Sequence, residues 1–194
     1  MSTPTPTPSN TPLPETLSAR LSGSPAVLPG GTRLKITSYG AAQTVTGSNH
    51  LLEMGGQRIL LDAGVFQGGA ALEELNSKPF AYDPRALHAM VLSHAHNDHT
   101  GRLPKLVKEG FEGPIYATRA TRALAEFILL DSAKLQREEL ERDLRKGRTP
   151  TQPLFNEEDV ARALGQFKLV EFDQVFPIGA AQVRLLRAGH IPGS

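Results

Sequence analysis

Alternating and continuous apolar stretches from residue 33 onward predict the strands of this chain. The alternation of apolar Leu34 and Ile36 with polar Lys35 and Thr37 is typical of a strand with one buried face. Runs such as Ala89-Met90-Val91-Leu92 are apolar throughout and indicate a strand buried on both faces. The predicted strands fall at residues 33–38, 50–54, 58–61, 89–92, within 113–118, at 168–172 and at 181–186.

Longer patterns with capping residues at their starts predict the helices. Thr118 is placed to cap a long helix, and Asn156 to cap a shorter one with Asp159 in a capping-box position. Gly110 is a typical residue just beyond a helix end. The predicted helices run from about 71 to 76, 103 to 109, 119 to 146, and onward from 156. Between two of the strands, Gly55-Gly56 predicts a hairpin turn.

Residues 1–31 differ in composition from the rest of the chain. They contain seven of the fifteen prolines, including an alternating Thr-Pro run, with Ser and Thr between them. Such a segment favours extended, solvated backbone and has too little apolar surface to fold. We therefore predict a disordered tail over residues 1–31 and a folded domain over residues 32–194.

The amino-acid composition restricts the possible metal ligands and excludes disulfides, but it says little about the binding partner. Lys and Arg number 21 against 20 Asp and Glu, so net charge neither favours nor excludes a polyanion. There is no cysteine, so no disulfide can form and a metal could be held only by His, Asp or Glu. No apolar run of about 18 residues or secretory signal is present, which predicts no membrane association and a cytoplasmic location.

The largest cluster of candidate metal-binding side chains lies just after the predicted strand at 89–92. Three of the six histidines, His94, His96 and His99, lie within six residues, together with Asp98. Side chains two apart in extended backbone point the same way, so His94 and His96 can address one point, while Asp98 and His99 face it from another side. Imidazole and carboxylate groups are the ligands of zinc or a similar divalent metal.

The spacing His94-x-His96-x-Asp98-His99 resembles the signature of the metallo-β-lactamase fold of hydrolases. The longer stretch from Ser93 to Pro104, with Gly113 to Thr118, is similar to the β-CASP branch of RNA-cleaving enzymes. The resemblance implies an α/β fold, the αββα sandwich, and hydrolysis of RNA phosphodiester bonds in RNA processing or decay. It also implies two Zn²⁺ ions per complete site, with Mn²⁺ as an alternative, and RNA as the partner.

The same resemblance assigns roles to individual residues. His94, His96 and His190 would bind the first metal, the last of them in a stretch from Ala188 to Ser194 that matches the third family motif. Asp98 and His99 would supply the second metal site and act in catalysis, with Asp98 able to receive a proton from water. Asp62, within the first family motif, would steady the histidine loop rather than bind metal.

After its third motif, the family pattern continues with a bridging aspartate, an inserted domain and a further histidine. No residue after His190 can replace that aspartate, so we expect only the N-terminal portion of the fold, with its second half incomplete. We accordingly expect the isolated chain to have weak nuclease activity. Uncovered apolar strand faces would favour poor solubility or a homo-oligomer.

Two other functions are compatible with the sequence. A thioesterase or lactonase of the same fold shares the motif from His94 to His99, although the stretches at 45–48, 66–68 and 117–118 argue against it. Alternatively, the chain is a non-catalytic truncated scaffold. A phosphodiester substrate compared with a thioester would separate the first alternative from a ribonuclease.

Overall fold

The computed structural model describes residues 21–22, 26–27, 31 and 33–194. Most of the predicted tail therefore lies outside the described residues. The two described pairs, β1 (Leu21–Ser22) and β2 (Ala26–Val27), both pair antiparallel with β3 (Arg33–Gly40). The main sheet thus includes four residues that the sequence assigned to the tail.

The main sheet has eight strands among the described residues and changes from antiparallel to parallel across its width. Its order is β1-β3-β4-β5-β6-β7-β8, with β2 alongside β3. The strands from β3 to β5 are antiparallel, and those from β5 to β8 are parallel. The remaining strands are β4 (Asn49–Met54), β5 (Gln57–Leu61), β6 (Ala89–Val91), β7 (Ile115–Ala117) and β8 (Phe167–Leu169).

The hairpin between β4 and β5 turns at Gly55 and Gly56, as predicted. Both residues have positive φ, 55° and 78°, and therefore form the type of turn that matches the twist of antiparallel strands. The turn sets the register in which His50 lies opposite Leu61, the residue before Asp62. His50 is half-buried within β4, and its Nδ1 lies 2.9 Å from the Ser38 hydroxyl.

The helices begin at the predicted capping residues. The Thr118 hydroxyl accepts from the Thr121 amide, and Asn156 and Asp159 form a reciprocal capping box. The described helices are α1 (Ala70–Glu73), α2 (Asn97–Thr100), α3 (Leu103–Lys108), α4 (Arg119–Arg145) and α5 (Glu157–Gly165), with 3₁₀ turns at Glu74–Asn76 and Pro84–Ala86.

Each face of the sheet has its own apolar core, because successive side chains along a strand point to opposite faces. Leu60, Met90 and Ile115 are fully buried on the face covered by the helices, with Phe111 and Leu129. On the other face the buried residues are Ile59, Ala89, Val91, Val170, Phe176, Ile178 and Ala181. This arrangement of a sheet covered by helices on one face and by a second sheet on the other confirms the predicted α/β sandwich class.

The second sheet contains a strand that the sequence analysis missed. It is formed by β9 (Val175–Ile178) and β10 (Ala181–Arg184), joined through Gly179, which has a φ of 56°. The pattern around β9 is interrupted by Pro177, which cannot donate to a ladder and obscured the strand. The predicted strand at 168–172 was too long, because β8 ends at Leu169.

The second half of α4 is a solvated, ion-paired surface. Lys134 lies 3.9 Å from Glu138, and Arg137 lies 3.6 Å from Glu141 and 3.0 Å from Glu157 of α5. Exposed pairs of this kind each stabilise a protein by roughly 0 to 1 kcal/mol. Within residues 33–194, α4 is 27 residues long, yet neither it nor another described helix has a stretch apolar enough to cross a membrane.

Candidate metal centre

The candidate site lies at the carboxyl ends of neighbouring parallel strands. Asp62 comes directly after β5, and Ser93 comes after β6 with one residue between them. Because β5 and β6 are parallel, both loops meet at one edge of the sheet. His94 and His96 lie in the loop between β6 and α2, just after the strand. His190 comes from the final loop, after β10.

Three imidazole nitrogens converge on one point. His96 Nδ1 lies 3.2 Å from His94 Nε2 and 3.0 Å from His190 Nε2. The ligand atoms of the three residues all lie within 4.8 Å of one another. His94 is buried, His96 is half-buried and His190 is exposed. The structure therefore brings together the three residues predicted for the first metal, although His190 comes 94 positions after His96.

The geometry of these nitrogens fits a divalent metal ion. Zinc–nitrogen bonds of about 2.0–2.1 Å in a tetrahedral site place two ligand nitrogens about 3.3 Å apart. The two close contacts, 3.0 and 3.2 Å, are near that separation. Three histidines with a remaining open position form the ligand set of a catalytic rather than a closed structural site. The triad can thus hold one metal ion.

Asp62 connects the loops beneath the triad. Its carboxylate accepts hydrogen bonds from the Ser48 hydroxyl (3.0 Å), the Ser93 amide (2.8 Å) and the Ser93 hydroxyl (2.9 Å), and it lies 2.7 Å from His99 Nδ1. Asp62 is only 5% exposed and adopts a φ of 60°, which is uncommon for a residue other than glycine. Such a conformation persists only where the surroundings enforce it, here through four contacts to one carboxylate.

This network also sets which nitrogens of the histidines carry protons. Because the single Ser93 hydroxyl proton goes to Asp62, His94 Nδ1 at 3.0 Å must be the donor to that hydroxyl oxygen. His99 Nδ1 likewise donates to the Asp62 carboxylate. The Nε2 of His94 consequently keeps its lone pair for a metal, and the Nε2 of His99 does so whenever that imidazole is neutral, the arrangement by which outer partners orient ligands.

Burial and the neighbouring charges favour neutral His94. Burial, with the positive charge of His99 beside it, lowers the pKa of His94 to about 4. Burial alone would lower the pKa of His99 too, but the hydrogen bond and charge of Asp62 raise it above the ordinary histidine value. His94 therefore has an unprotonated nitrogen at neutral pH, as a metal ligand requires.

Asp98 and His99, the residues predicted for a second metal, lie side by side at the start of α2. His99 Nε2 is 3.6 Å from the Asp98 carboxylate, and the His99 ring centroid is 4.0 Å from that of His94. Both side chains are about one quarter exposed. They adjoin the triad without joining its cluster of ligand atoms among the described residues, so their metal-binding role stays a prediction.

Tight backbone packing holds Asp98 in place. Its carbonyl oxygen accepts from the Ser48 amide at 2.8 Å, and the His99 carbonyl accepts from the Ala63 amide at 2.8 Å. A Cβ added at Gly64 would lie 1.6 Å from the Asp98 carbonyl oxygen. The loop after β5 and the turn of α2 are thus in direct backbone contact, which requires glycine at position 64.

A further contact, missed in the sequence, fixes the loop that carries His190. The hydroxyls of Thr118 and Thr121 lie 2.9 and 3.0 Å from the Gly193 carbonyl oxygen. Thr118 thus serves both as the cap of α4 and as an anchor for the final loop. Only the capping role of Thr118 could be predicted, because no local pattern links it to a residue 75 positions later.

Replacing Asp62 with alanine is expected to weaken metal binding about 10- to 100-fold, as loss of a ligand-orienting partner typically does. The substitution leaves His99 Nδ1 and the Ser48 and Ser93 hydroxyls without their shared acceptor. Competition with a chromophoric chelator measures the zinc affinity. Asp83→Ala, at an exposed aspartate that bonds Arg85, is the matched control. Equal affinities in the two variants would contradict the role given to Asp62.

Thr118→Ala is expected to lower the free energy of unfolding by about 1–2 kcal/mol, through loss of a helix cap and a contact to the final loop. Urea denaturation measures the change. Thr151→Ala, at an exposed position outside the helices, is the control and should change stability by less than about 0.5 kcal/mol. A Thr118→Ala protein as stable as the control would show that neither contact contributes.

Comparison with known proteins agrees with this geometry. A family model described as the metallo-beta-lactamase superfamily matches residues 44–179. The chain belongs to this superfamily. The matched range contains Asp62 and every predicted site residue from His94 to His99, and it ends before His190.

The names of three relatives are those of a ribonuclease, a transcription termination factor and a cleavage and polyadenylation factor. Ribonuclease TTHA0252 of Thermus thermophilus is 45% identical over 161 residues, which cover 83% of this chain and 34% of the relative. Transcription termination factor FttA of Methanothermobacter thermautotrophicus is 33% identical, over 82% of this chain and 24% of the relative. Cleavage and polyadenylation specificity factor subunit 3-I of Arabidopsis thaliana is 28% identical, over 84% of this chain and 22% of the relative.

These relatives fit the β-CASP branch that the motifs predicted. The chain spans about one third or less of the length of each of them.

Proposed function

We propose that this chain is the metal-binding part of a hydrolase that cleaves RNA phosphodiester bonds. The observation that carries the proposal is the convergence of His94 Nε2, His96 Nδ1 and His190 Nε2 at one point. The second support is the similarity to a ribonuclease and to RNA-processing factors over more than four fifths of the chain.

The residues of the site have distinct roles in this proposal. His94, His96 and His190 hold the first metal, and Asp98 with His99 contribute to a second. Divalent ions held there would activate a water molecule and stabilise the negative charge that develops on a phosphoryl oxygen. Asp98, whose carboxylate lies 3.6 Å from His99 Nε2, would receive the proton of that water, and Asp62 would keep His94 and His99 in the required orientations.

Zinc is the metal that this ligand set favours. Three imidazole nitrogens at near-tetrahedral separations suit zinc, whereas Mn²⁺ prefers oxygen ligands. The carboxylate of Asp98 beside His99 is the part of the site most compatible with manganese. A cytoplasmic location and self-association stay predictions from the sequence.

The substrate distinguishes this proposal from a thioesterase of the same fold. The test compares cleavage of an end-labelled single-stranded RNA with hydrolysis of a glutathione thioester by the complete gene product, with added Zn²⁺ or Mn²⁺. We expect metal-dependent RNA cleavage that a chelator removes and that His96→Ala abolishes. Thioester hydrolysis without RNA cleavage would replace the proposal with the alternative.

A further inference from the structure

A small cavity lies on the helical side of the sheet, away from the triad. Its volume is about 150 Å³. Apolar groups of Phe66, Leu75, Pro79, Phe80 and Ala81 form much of its wall, and polar groups come from Tyr39, Asn49, Lys78, Tyr82 and Arg102. None of the triad histidines contributes to this wall.

Arg102 is the unusual member of the wall. The residue is only 5% exposed, and burial lowers the pKa of its guanidinium to about 10. Its Nε donates to the Gly64 carbonyl oxygen, and the guanidinium carbon lies 4.6 Å from the Phe66 ring centroid and 5.1 Å from that of Phe80. Within residues 33–194 the two terminal nitrogens of Arg102 have no hydrogen-bond or ion-pair partner.

Three of the polar side chains near Arg102 already have hydrogen-bond or ion-pair partners, and a fourth does not. Glu109, the nearby acid, is paired with Lys105 at 2.7 Å. Asn49 and Tyr82 hydrogen-bond to each other at 3.0 and 3.1 Å. The Tyr39 hydroxyl has no hydrogen-bond partner among the described residues, so the cavity contains unused donors.

A buried guanidinium costs free energy unless its charge and its donors are matched. Stacking on two aromatic rings offsets part of that cost. The planar fork of terminal N–H groups is suited to bidentate contact with a phosphate or carboxylate. Lys78, whose ammonium lies 3.4 Å from the Glu74 carboxylate, is at the exposed rim. A small oxyanion is therefore the type of ligand that would pair with the donors of this cavity.

We propose that the cavity binds a phosphate group, either free phosphate or the terminal phosphate of a nucleotide, through Arg102 and Tyr39. A volume of about 150 Å³ equals the liquid volume of roughly five water molecules, enough for a phosphate group but not for a whole nucleotide. A nucleoside attached to the phosphate would extend past exposed Lys78 and Ala81 into solvent. This site is independent of the proposed hydrolase reaction.

The test measures the melting temperature of the zinc-loaded protein as inorganic phosphate replaces chloride at constant ionic strength. We expect a saturable rise, which a ligand that binds only the folded state produces. Arg102→Lys keeps the charge but not the fork, and we expect it to weaken phosphate binding about tenfold or more. Arg58→Lys, at a half-buried arginine outside the cavity wall, should bind as the parent does.

One comparison and one further variant keep the proposal falsifiable. The rise in melting temperature should be the same with and without bound zinc, because a rise seen only in the zinc-loaded protein would place the phosphate on the metal. Ala81→Trp, at an exposed position of the cavity wall, should block entry even where Arg102→Lys fails to fold. The proposal would be overturned if phosphate did not raise the melting temperature, if the rise were retained in Ala81→Trp, or if acetate raised the melting temperature equally.

The two sources of phosphate are separated by a nucleoside monophosphate. Tighter binding of the monophosphate than of inorganic phosphate would assign the cavity to nucleotide ends. Tighter binding of inorganic phosphate would assign it to the free ion. Either result requires the same dependence on Arg102.

Discussion

His96→Ala is expected to weaken zinc binding by at least about a hundredfold, more than the removal of an orienting partner costs. His96 Nδ1 is the middle atom of the triad, within 3.2 Å of both other ligand nitrogens. Its loss leaves His94 and His190 as two ligands, too few for a stable catalytic zinc site. Isothermal titration with Zn²⁺ measures the affinity and the stoichiometry.

His88→Ala is the matched control for that experiment. His88 is exposed, and its Nδ1 accepts from the Arg58 amide at 3.1 Å, outside the candidate site. The control should bind zinc as the parent chain does. Equal weakening by both substitutions, or none by His96→Ala, would mean that zinc is held elsewhere.

Gly64→Ala is expected to lower the free energy of unfolding by about 3 kcal/mol or more. The added methyl carbon would lie 1.6 Å from the Asp98 carbonyl oxygen and 2.6 Å from the His99 amide nitrogen. Both are backbone atoms, so the loops after β5 and β6 must separate to admit it. Guanidinium denaturation measures the loss, and zinc affinity should fall with it.

Gly165→Ala provides the comparison for this substitution. Gly165 is the last residue of α5, and a Cβ there would meet no heavy atom within 4 Å. Alanine is favoured over glycine in helices, so stability should stay equal or rise by up to about 1 kcal/mol. A Gly64→Ala protein that matches this control would contradict the close packing of the two loops.

Local patterns in the sequence sufficed for much of the fold and for the centre of the site. Strand periodicity, turns and caps act over a few residues, and the Gly55-Gly56 turn and the caps at Thr118 and Asn156 were found where predicted. The histidine spacing predicted the candidate metal loop for the same reason, since His94, His96, Asp98 and His99 are neighbours in the chain. His190 could be joined to that loop only through its resemblance to a family motif.

Contacts between distant residues could not be predicted in this way. The Thr118 and Thr121 contacts to Gly193 depend on how the final loop packs against α4. Burial of Arg102 depends on Phe66 and Phe80, which belong to separate loops. The strand β9 was missed because its apolar residues alternate across a proline, and only pairing with β10 makes it regular.

Three histidines from two distant loops are proposed to hold one metal ion. Anomalous diffraction at the zinc edge, from crystals grown with Zn²⁺, locates that ion directly. We predict a peak about 2.0–2.1 Å from His94 Nε2, His96 Nδ1 and His190 Nε2. A zinc ion bound at other residues, with the three nitrogens left without a peak, would contradict the account.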